Sequence, residues 1–192
     1  YDPKQIQLLI ELVKQILERH LEITPTRVIG HADIQPAIKS DPVTVFGHGK
    51  YMLIEFQTYQ LPPDYDEELY RLVMSGTTPI IAHPERYKPV QSNIHLVHQW
   101  IQAGCLMQID AGSLNGTLGK SAEKSAIQII QNRMCHLIGS DAHNDGRRNF
   151  CLKTALEHVI ALTDESFSGM LIQNAHKVLK GQYIEHSKLI FG

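Results

Sequence analysis

Apolar residues repeat at two different spacings along the chain. After Asp2-Pro3, apolar positions recur at helical spacing through residues 6–20, which predicts an N-terminal helix with proline in its first turn. Residues 27–29 follow as a short predicted strand. Residues 30–49 contain prolines, glycines and polar residues without a clear period, which predicts a long loop.

The pattern becomes regular from residue 51 onward. Short, almost wholly apolar runs predict strands at residues 51–56, 79–82, 106–109 and 136–138. Amphipathic stretches predict helices at residues 64–74, 94–103, 122–133 and 149–161. Strands that alternate with helices in this way predict an α/β fold with a parallel sheet, and the apolar strands are typical of strands that are covered on both faces or line a barrel.

Composition excludes several classes of protein. The apolar fraction of 43% and the charged fraction of 20% are ordinary for a globular protein. A net charge of -2 gives no reason to expect nucleic acid or an anionic membrane as partner, and no apolar run approaches the roughly 18 residues of a membrane span. The three cysteines are odd in number and the start of the chain does not resemble a signal peptide, so we expect a reducing, cytoplasmic environment. Because the first residue is Tyr1 rather than Met, we expect the chain to be part of a longer one.

Polar side chains come directly after predicted strands, where the active sites of α/β proteins gather. His83 follows the second regular strand, and Arg86 lies within the next turn. Asp141 and His143 follow the last strand, and Arg148 comes shortly after them. The Asp-x-His spacing places a carboxylate and an imidazole on one side of the backbone. Mixed oxygen and nitrogen donors suit a divalent cation, and nearby arginines suit phosphate oxygens.

Each of these residues has an ordinary explanation when it is taken alone. A single histidine or a single Asp-x-His pair after a strand is more often a hydrogen-bonded loop feature than a set of ligands. Glu85 and Tyr87 are as consistent with a position on the loop surface as with a place in the site. The joint occurrence of both ligand-type clusters and the arginines after consecutive strands favours a metal site.

Five segments carry a resemblance to a known family. They keep their order and spacing and read YMLIEF at residues 51–56, IIAHPERY at 80–87, QIDAGSL at 108–114, GSDAHN at 139–144 and NAHKVLKG at 174–181. Together they resemble the PHP-domain metal-dependent protein-tyrosine phosphatases of capsule and exopolysaccharide systems, over about residues 43–192.

This resemblance implies a fold, a chemistry and a site. The implied fold is a distorted (β/α) barrel, and the implied reaction is hydrolysis of a phosphomonoester by water activated at a metal, usually manganese, without a covalent cysteine intermediate. His83, Asp141 and His143 match metal ligands, whereas Arg86 and Arg148 match catalytic arginines that grip the phosphate. The implied substrate is a phosphotyrosine protein, with a tyrosine kinase of polysaccharide export as a candidate partner.

The first 42 residues resemble a different metalloenzyme. The segments GHADIQP at residues 30–36 and KSDP at 39–42 are similar to the C-terminal part of the zinc N-acetylmuramoyl-L-alanine amidases. That resemblance implies a second metal site in which His31 and Asp41 bind zinc and Lys39 assists catalysis. We therefore predict two segments, an amidase-like helix and loop at residues 1–42 and a phosphatase-like region at 43–192.

The opening motifs of the phosphatase family are not found before Val43. These are a His-x-His motif on the first strand, a further histidine and a bridging glutamate. We therefore predict an incomplete PHP-type barrel preceded by a helix and a long loop. Its exposed sheet edges would be covered by that helix, by a second copy of the chain in a homo-oligomer, or by residues outside this sequence.

Three functions remain open at this point: a metal-dependent phosphatase, a zinc amidase, and a non-catalytic chimeric fragment. If the chain belongs to a phosphatase, we expect weak or absent activity, since several metal ligands of the family are not found in it.

Overall fold

The structure, a computed structural model, describes residues 44–142 and 150–184. These residues lie in one compact unit, Ser40–Gly192. The N-terminal helix and the strand predicted at residues 6–20 and 27–29, together with most of the predicted loop, lie outside the described residues. The proposed boundary near residue 42 also lies there and stays a prediction.

A five-stranded sheet forms the centre of the described region. Its strands are β1 (Thr44–Phe46), β2 (Tyr51–Ile54), β3 (Thr78–Ala82), β4 (Leu106–Asp110) and β5 (Leu137–Gly139). They lie in the order β1-β2-β3-β4-β5, with β1 antiparallel to β2 and all other neighbours parallel. The sheet curls into half a barrel. This confirms the α/β fold and the four strands that the apolar runs predict from residue 51 onward, with ends shifted by one or two residues.

Helices lie between the parallel strands and after the last of them. They are α1 (Tyr65–Met74), α2 (Lys88–Ser92), α3 (His95–Gln102), α4 (Ala111–Leu114), α5 (Lys120–Gln131), α6 (Leu152–Leu162) and α7 (Glu165–Leu179). Four of them, α1, α3, α5 and α6, coincide with predicted helices. A single 3-10 turn at Pro84–Arg86 follows β3 directly.

Both faces of the sheet are buried, as the apolar strands predict. Successive residues of a strand point to opposite faces. Ile81 and Met107 join the larger core beneath the helices, whereas their neighbours Ile80 and Leu106 join a smaller core on the other face. The smaller core includes Val178 from α7. The strand positions are therefore fixed from both sides, which holds the loops at the strand ends in place.

β1 corrects the prediction of an unbroken loop over residues 30–49. Residues 44–46 pair with β2 as an edge strand, and the turn between the two strands contains Gly47. Gly47 and Gly181 both have a positive φ, and a Cβ at Gly47 would stand 2.5 Å from the Cα of Gly181. Only glycine permits this approach, because any side chain there would collide with backbone.

None of the described helices is long and apolar enough to cross a membrane. The three cysteines are free thiols, with Cys105 and Cys135 buried and Cys151 partly exposed.

Candidate active site

The ends of four neighbouring strands carry acidic or imidazole side chains. Glu55 follows β2, His83 follows β3, Asp110 ends β4, and Asp141 lies two residues after β5. Because β2 to β5 are parallel, these four residues lie side by side along the carboxyl end of the sheet. Active sites of parallel α/β folds gather at this end of the sheet, so these residues form the candidate site.

Glu55 and His83 are in direct contact. The Nε2 atom of His83 lies 2.9 Å from Oε1 of Glu55. The imidazole is almost fully buried, whereas the Glu55 side chain is about one-third exposed at 31%. The other ring nitrogen of His83, Nδ1, is buried and has no hydrogen-bond partner among the described residues. An imidazole and a carboxylate thus meet at the edge of solvent, with one ring nitrogen left for a further ligand.

Arg86 connects the ends of the last two strands. Its guanidinium donates a hydrogen bond of 2.9 Å to Oδ2 of Asp141, and it stands 3.6 Å from Oδ2 of Asp110. Arg86 and Asp141 are 24% and 32% exposed, so a ligand could reach both side chains. Asp110 is almost entirely buried beneath them.

Two predicted metal ligands have strained backbones. His83 and Asp141 have φ angles of 32° and 41°, in the left-handed region that non-glycine residues rarely adopt. The other described non-glycine residues with positive φ are His48 and Arg133. Such a conformation costs about 1–3 kcal/mol and persists where the surrounding structure enforces it, often at functional sites. Here it directs both side chains to one edge of the sheet.

Glu85 and Tyr87 are buried, which decides against the loop-surface position that the sequence left open. Neither is exposed at all. Oε1 of Glu85 accepts a hydrogen bond of 3.1 Å from the backbone N–H of Asp110. The Tyr87 hydroxyl donates to the carbonyl of Ala82 and accepts from the backbone N–H of Phe56. Both residues therefore fasten the loop after β3 to the ends of the adjacent strands.

Burial raises the pKa of both carboxyl groups in this layer. The pKa of Glu85 rises to about 7 because the group is desolvated, although the neighbouring Ser113 side chain and His83 oppose the shift. Burial also raises the pKa of Asp110, and the nearby Asp141 carboxylate adds to the shift. The backbone N–H of Gly112 donates to Asp110 at 2.7 Å and lowers its pKa, as does Arg86. Both groups therefore keep their proton to a higher pH than an exposed carboxyl group would.

Sequence reasoning missed Glu55 and did not assign Asp110 a role. Both residues obey the rule that identified His83, since each stands at the carboxyl end of a strand. Glu55 lies inside the quoted segment YMLIEF and Asp110 inside QIDAGSL. A systematic search of every strand end, rather than of histidine-containing ends, would have found both.

The structure describes only part of the predicted site. His83, Arg86 and Asp141 are described and lie at the same edge of the sheet. His143 and Arg148 lie outside the described residues, and the convergence of all three predicted ligands stays a prediction.

The possible second site is likewise undescribed. Its residues His31, Lys39 and Asp41 all lie outside the described part of the chain.

The described residues fit a divalent cation in chemistry but do not complete a site. Within residues 44–142 and 150–184, no group of three or more His, Cys, Asp or Glu residues is arranged to hold a metal ion. The donors present are nevertheless the oxygen and nitrogen ligands such ions take, namely Glu55, His83 and Asp141. The contact between Glu55 and His83 and the free Nδ1 of His83 support this fit.

Comparison with known proteins gives a family match. The family described as capsular polysaccharide synthesis, CpsB/CapC, matches residues 4–180. The tyrosine-protein phosphatase YwqE of Bacillus subtilis is 30% identical over 179 residues, which cover 93% of this chain and 70% of that protein. The tyrosine-protein phosphatase CpsB of Streptococcus agalactiae is 28% identical over 159 residues, or 80% of this chain and 65% of CpsB.

A solved structure is similar as well. It belongs to a study of YwqE from Bacillus subtilis and CpsB from Streptococcus pneumoniae, described as unique metal-dependent tyrosine phosphatases. Its TM-score is 0.69 at 33% identity, and the match covers 72% of this chain and 56% of that one. The chain therefore spans a little over half the length of that solved protein.

A shorter match concerns the amidases. The N-acetylmuramoyl-L-alanine amidase AmiD of Escherichia coli is 48% identical over 46 residues, which make up 24% of this chain and 16% of that enzyme.

Proposed function

The chain belongs to the CpsB/CapC family of capsular polysaccharide synthesis, and on that premise we propose that it is a metal-dependent phosphatase acting on phosphotyrosine in a protein. The reaction class is hydrolysis of a phosphomonoester. The names of YwqE and CpsB support this proposal, as does the description of the similar solved structure.

One observation carries the proposal. Two side-chain pairs, Glu55 with His83 and Arg86 with Asp141, stand at the carboxyl ends of the parallel strands β2, β3 and β5. The first pair offers donors for a cation, and the second presents a guanidinium for phosphate oxygens. A phosphomonoester is the kind of substrate that needs both.

Glu55, His83 and Asp141 would hold a divalent cation together with His143. Manganese is the ion we propose. When bound, such an ion polarises phosphoryl oxygens and makes a bound water more acidic. Glu55 and Asp141 supply carboxylate oxygens, and buried His83 supplies a ring nitrogen whose position is fixed by its contact with Glu55.

Arg86 binds and orients the phosphate. Its planar guanidinium matches the geometry of phosphate oxygens and can donate two hydrogen bonds to them. The contacts with Asp141 and Asp110 hold it at the edge of the sheet before substrate arrives, so little side-chain entropy is lost on binding. Arg148, which follows β5 in the sequence, would bind the same phosphate.

The setting of this activity is part of the proposal. We propose a cytoplasmic enzyme whose substrate is a tyrosine kinase of polysaccharide export, and a homo-oligomer as the state that covers the sheet edges. The family match supports the link to capsule synthesis. Size measurement by light scattering tests the oligomer.

Hydrolysis of para-nitrophenyl phosphate and of a phosphotyrosine peptide, with and without added manganese, tests the activity. We expect phosphate release that depends on manganese and is abolished by His83→Ala. The turnover should fall below the usual enzyme range of about 1 to 1,000 per second, because ligands of the family's opening segments are not found in these 192 residues. His176→Ala, at an exposed histidine of α7, serves as the control. Hydrolysis that survives both chelation and His83→Ala would refute the proposal.

A zinc amidase is the second candidate. The 46-residue match to AmiD favours it, as do the identities of His31, Lys39 and Asp41. Incubation of the zinc-loaded protein with peptidoglycan should then release stem peptides, and His31→Ala should abolish the release. No release by zinc-loaded protein would exclude this activity for the chain.

A further inference from the structure

A cavity of about 360 Å³ opens beside the proposed reaction site. Its lining includes three cationic side chains, Arg86, Lys88 and Lys120, and none of its described lining residues is Asp or Glu. The chain as a whole has a net charge of -2, so this positive charge is a local concentration. A concave surface of one charge sign attracts ligands of the other sign.

Arg86 belongs to both the cavity and the site. Its guanidinium contacts Asp141 while its side chain lines the cavity. A ligand whose phosphate is held by Arg86 would therefore place its neighbouring groups in or over the cavity. The two regions form one continuous surface at the end of the sheet.

The N-terminus of α5 forms one wall. Gly119, Lys120, Ser121 and Ala122 line the cavity there. No side chain caps this end of the helix, and first-turn N–H groups carry partial positive charge. The one acidic residue of this turn, Glu123, packs against Gly116, where its carboxylate would stand 3.3 Å from an added Cβ. The helix end thus adds to the charge of the lysine and does not oppose it.

The other lining residues offer a mixed surface for a peptide. Thr58 and Tyr59 line the cavity, and the Tyr59 side chain is 80% exposed. Lys88 donates a hydrogen bond of 2.9 Å to Oε1 of Gln91, which also lines the cavity. The volume lies at the low end of the range for ligand pockets, about 300–1,000 Å³. That is suitable for a few side chains of a polypeptide rather than for a large cofactor.

We propose that this cavity is a subsite for acidic residues that flank the phosphotyrosine in a polypeptide substrate. The proposal rests on the proposed phosphatase function. Lys88 and Lys120 bind the flanking carboxylates, and exposed Tyr59 packs against the peptide between them. The subsite therefore selects phosphotyrosines in acidic sequences over those in neutral ones.

Peptide binding without catalysis gives the first test. The probes are two fluorescein-labelled peptides of equal length that carry an unphosphorylated tyrosine, one with flanking Asp and Glu and one with Asn and Gln. We expect the acidic peptide to bind more tightly than the neutral one. The K88A/K120A variant should bind the acidic peptide about three- to tenfold more weakly than the wild type does. The matched variant K124A/K180A removes two exposed lysines outside the cavity lining and should retain the preference.

Salt provides a second check on the same measurement. Raising the ionic strength from about 0.05 M to about 0.5 M should weaken the binding of the acidic peptide much more than that of the neutral peptide, because exposed charges are screened. Equal affinity of the two peptides for the wild-type protein would overturn the proposal. Equal losses of affinity for the acidic peptide in K88A/K120A and K124A/K180A would also overturn it, since they would show that only the overall charge of the protein attracts the peptide.

Kinetics with the phosphorylated forms of the peptides complete the test. The ratio of kcat/KM for the acidic peptide to that for the neutral peptide should exceed one in the wild type and fall towards one in K88A/K120A. A ratio of one in the wild type would overturn the subsite while leaving the phosphatase function intact. Preferential binding of the acidic peptide without hydrolysis would instead refute the phosphatase function and retain an acidic-peptide site.

Discussion

Arg86 and Asp141 are 55 positions apart in the sequence, yet the Arg86 guanidinium donates a 2.9 Å hydrogen bond to the Asp141 carboxylate. The loop after β3 carries the arginine, and the loop after β5 carries the aspartate. β4 separates these strands, and its last residue, Asp110, lies beneath the pair. The contact therefore depends on the parallel order of three strands.

Replacement of Arg86 should impair catalysis far more than stability. Arg86→Ala should lower kcat/KM for para-nitrophenyl phosphate about 100-fold, because a positioned donor to the phosphate is lost. Arg86→Lys should lose about tenfold, since it keeps the charge but not the planar fork. Arg71→Ala, at an exposed arginine of α1, is the control. Steady-state kinetics and thermal melting check the result, and Arg86→Ala activity within twofold of wild type would contradict it.

Glu55 should be needed for metal binding. Glu55→Gln removes the charge of a carboxylate that contacts His83, so affinity for manganese should fall by at least about 10- to 100-fold. Titration calorimetry with MnCl₂ measures this directly. Glu157→Gln changes an exposed glutamate of α6 and should bind like the wild type. Equal affinities for all three proteins would show that Glu55 is not a ligand.

Glu85 should stabilise the fold through its hydrogen bond to Asp110. Glu85→Ala leaves the buried backbone N–H of Asp110 without its acceptor and should lower the free energy of unfolding by about 1–3 kcal/mol. Glu85→Gln keeps an oxygen at that place and should lose less. Urea denaturation in the presence of chelator compares the three proteins without a contribution from bound metal. If both variants lost the same free energy of unfolding, the hydrogen bond to Asp110 would not be the source of the stabilisation.

The buried cysteines should be unreactive. Burial raises the pKa of both Cys105 and Cys135 to about 12, so at pH 8 only about one molecule in ten thousand carries a thiolate at either position. A chromogenic disulfide reagent should therefore modify one thiol rapidly in the native protein, that of partly exposed Cys151. Cys151→Ser should abolish the rapid phase, and denaturant should expose all three thiols of the wild type. Rapid labelling of native Cys151→Ser would refute this prediction.

Gly181 should not tolerate a side chain. In Gly181→Ala the new Cβ would stand 2.6 Å from the carbonyl oxygen of Gly47 and would also force alanine into a left-handed conformation. Gly76→Ala shares the positive φ but meets no atom within 4 Å, so it isolates the cost of conformation, about 1–2 kcal/mol. We expect Gly181→Ala to lower the melting temperature clearly more than Gly76→Ala. Equal shifts would show that the turn after β1 moves freely away from α7.

The strand ends illustrate which part of the site could be predicted from sequence. His83 and Asp141 were identified because each follows an apolar run, and local pattern determines where a strand stops. Glu55 also follows an apolar run, but no histidine lies beside it in the sequence to indicate a metal site. The burial of Glu85 and Tyr87 stayed open at the sequence level because it depends on which elements pack over the loop, and α5 and the end of β4 cover this one.

The sequence by itself determined the alternation of strands and helices, the residues at the strand ends, and the family. These properties are encoded locally, in the period of apolar positions and in short motifs. The tertiary structure alone decided that Glu55 meets His83, that Arg86 reaches Asp141, and that Lys88 and Lys120 share a cavity. Such contacts join residues 28 to 55 positions or so apart, and they exist only once parallel strands lie side by side, because sequence spacing does not specify which strand ends become neighbours.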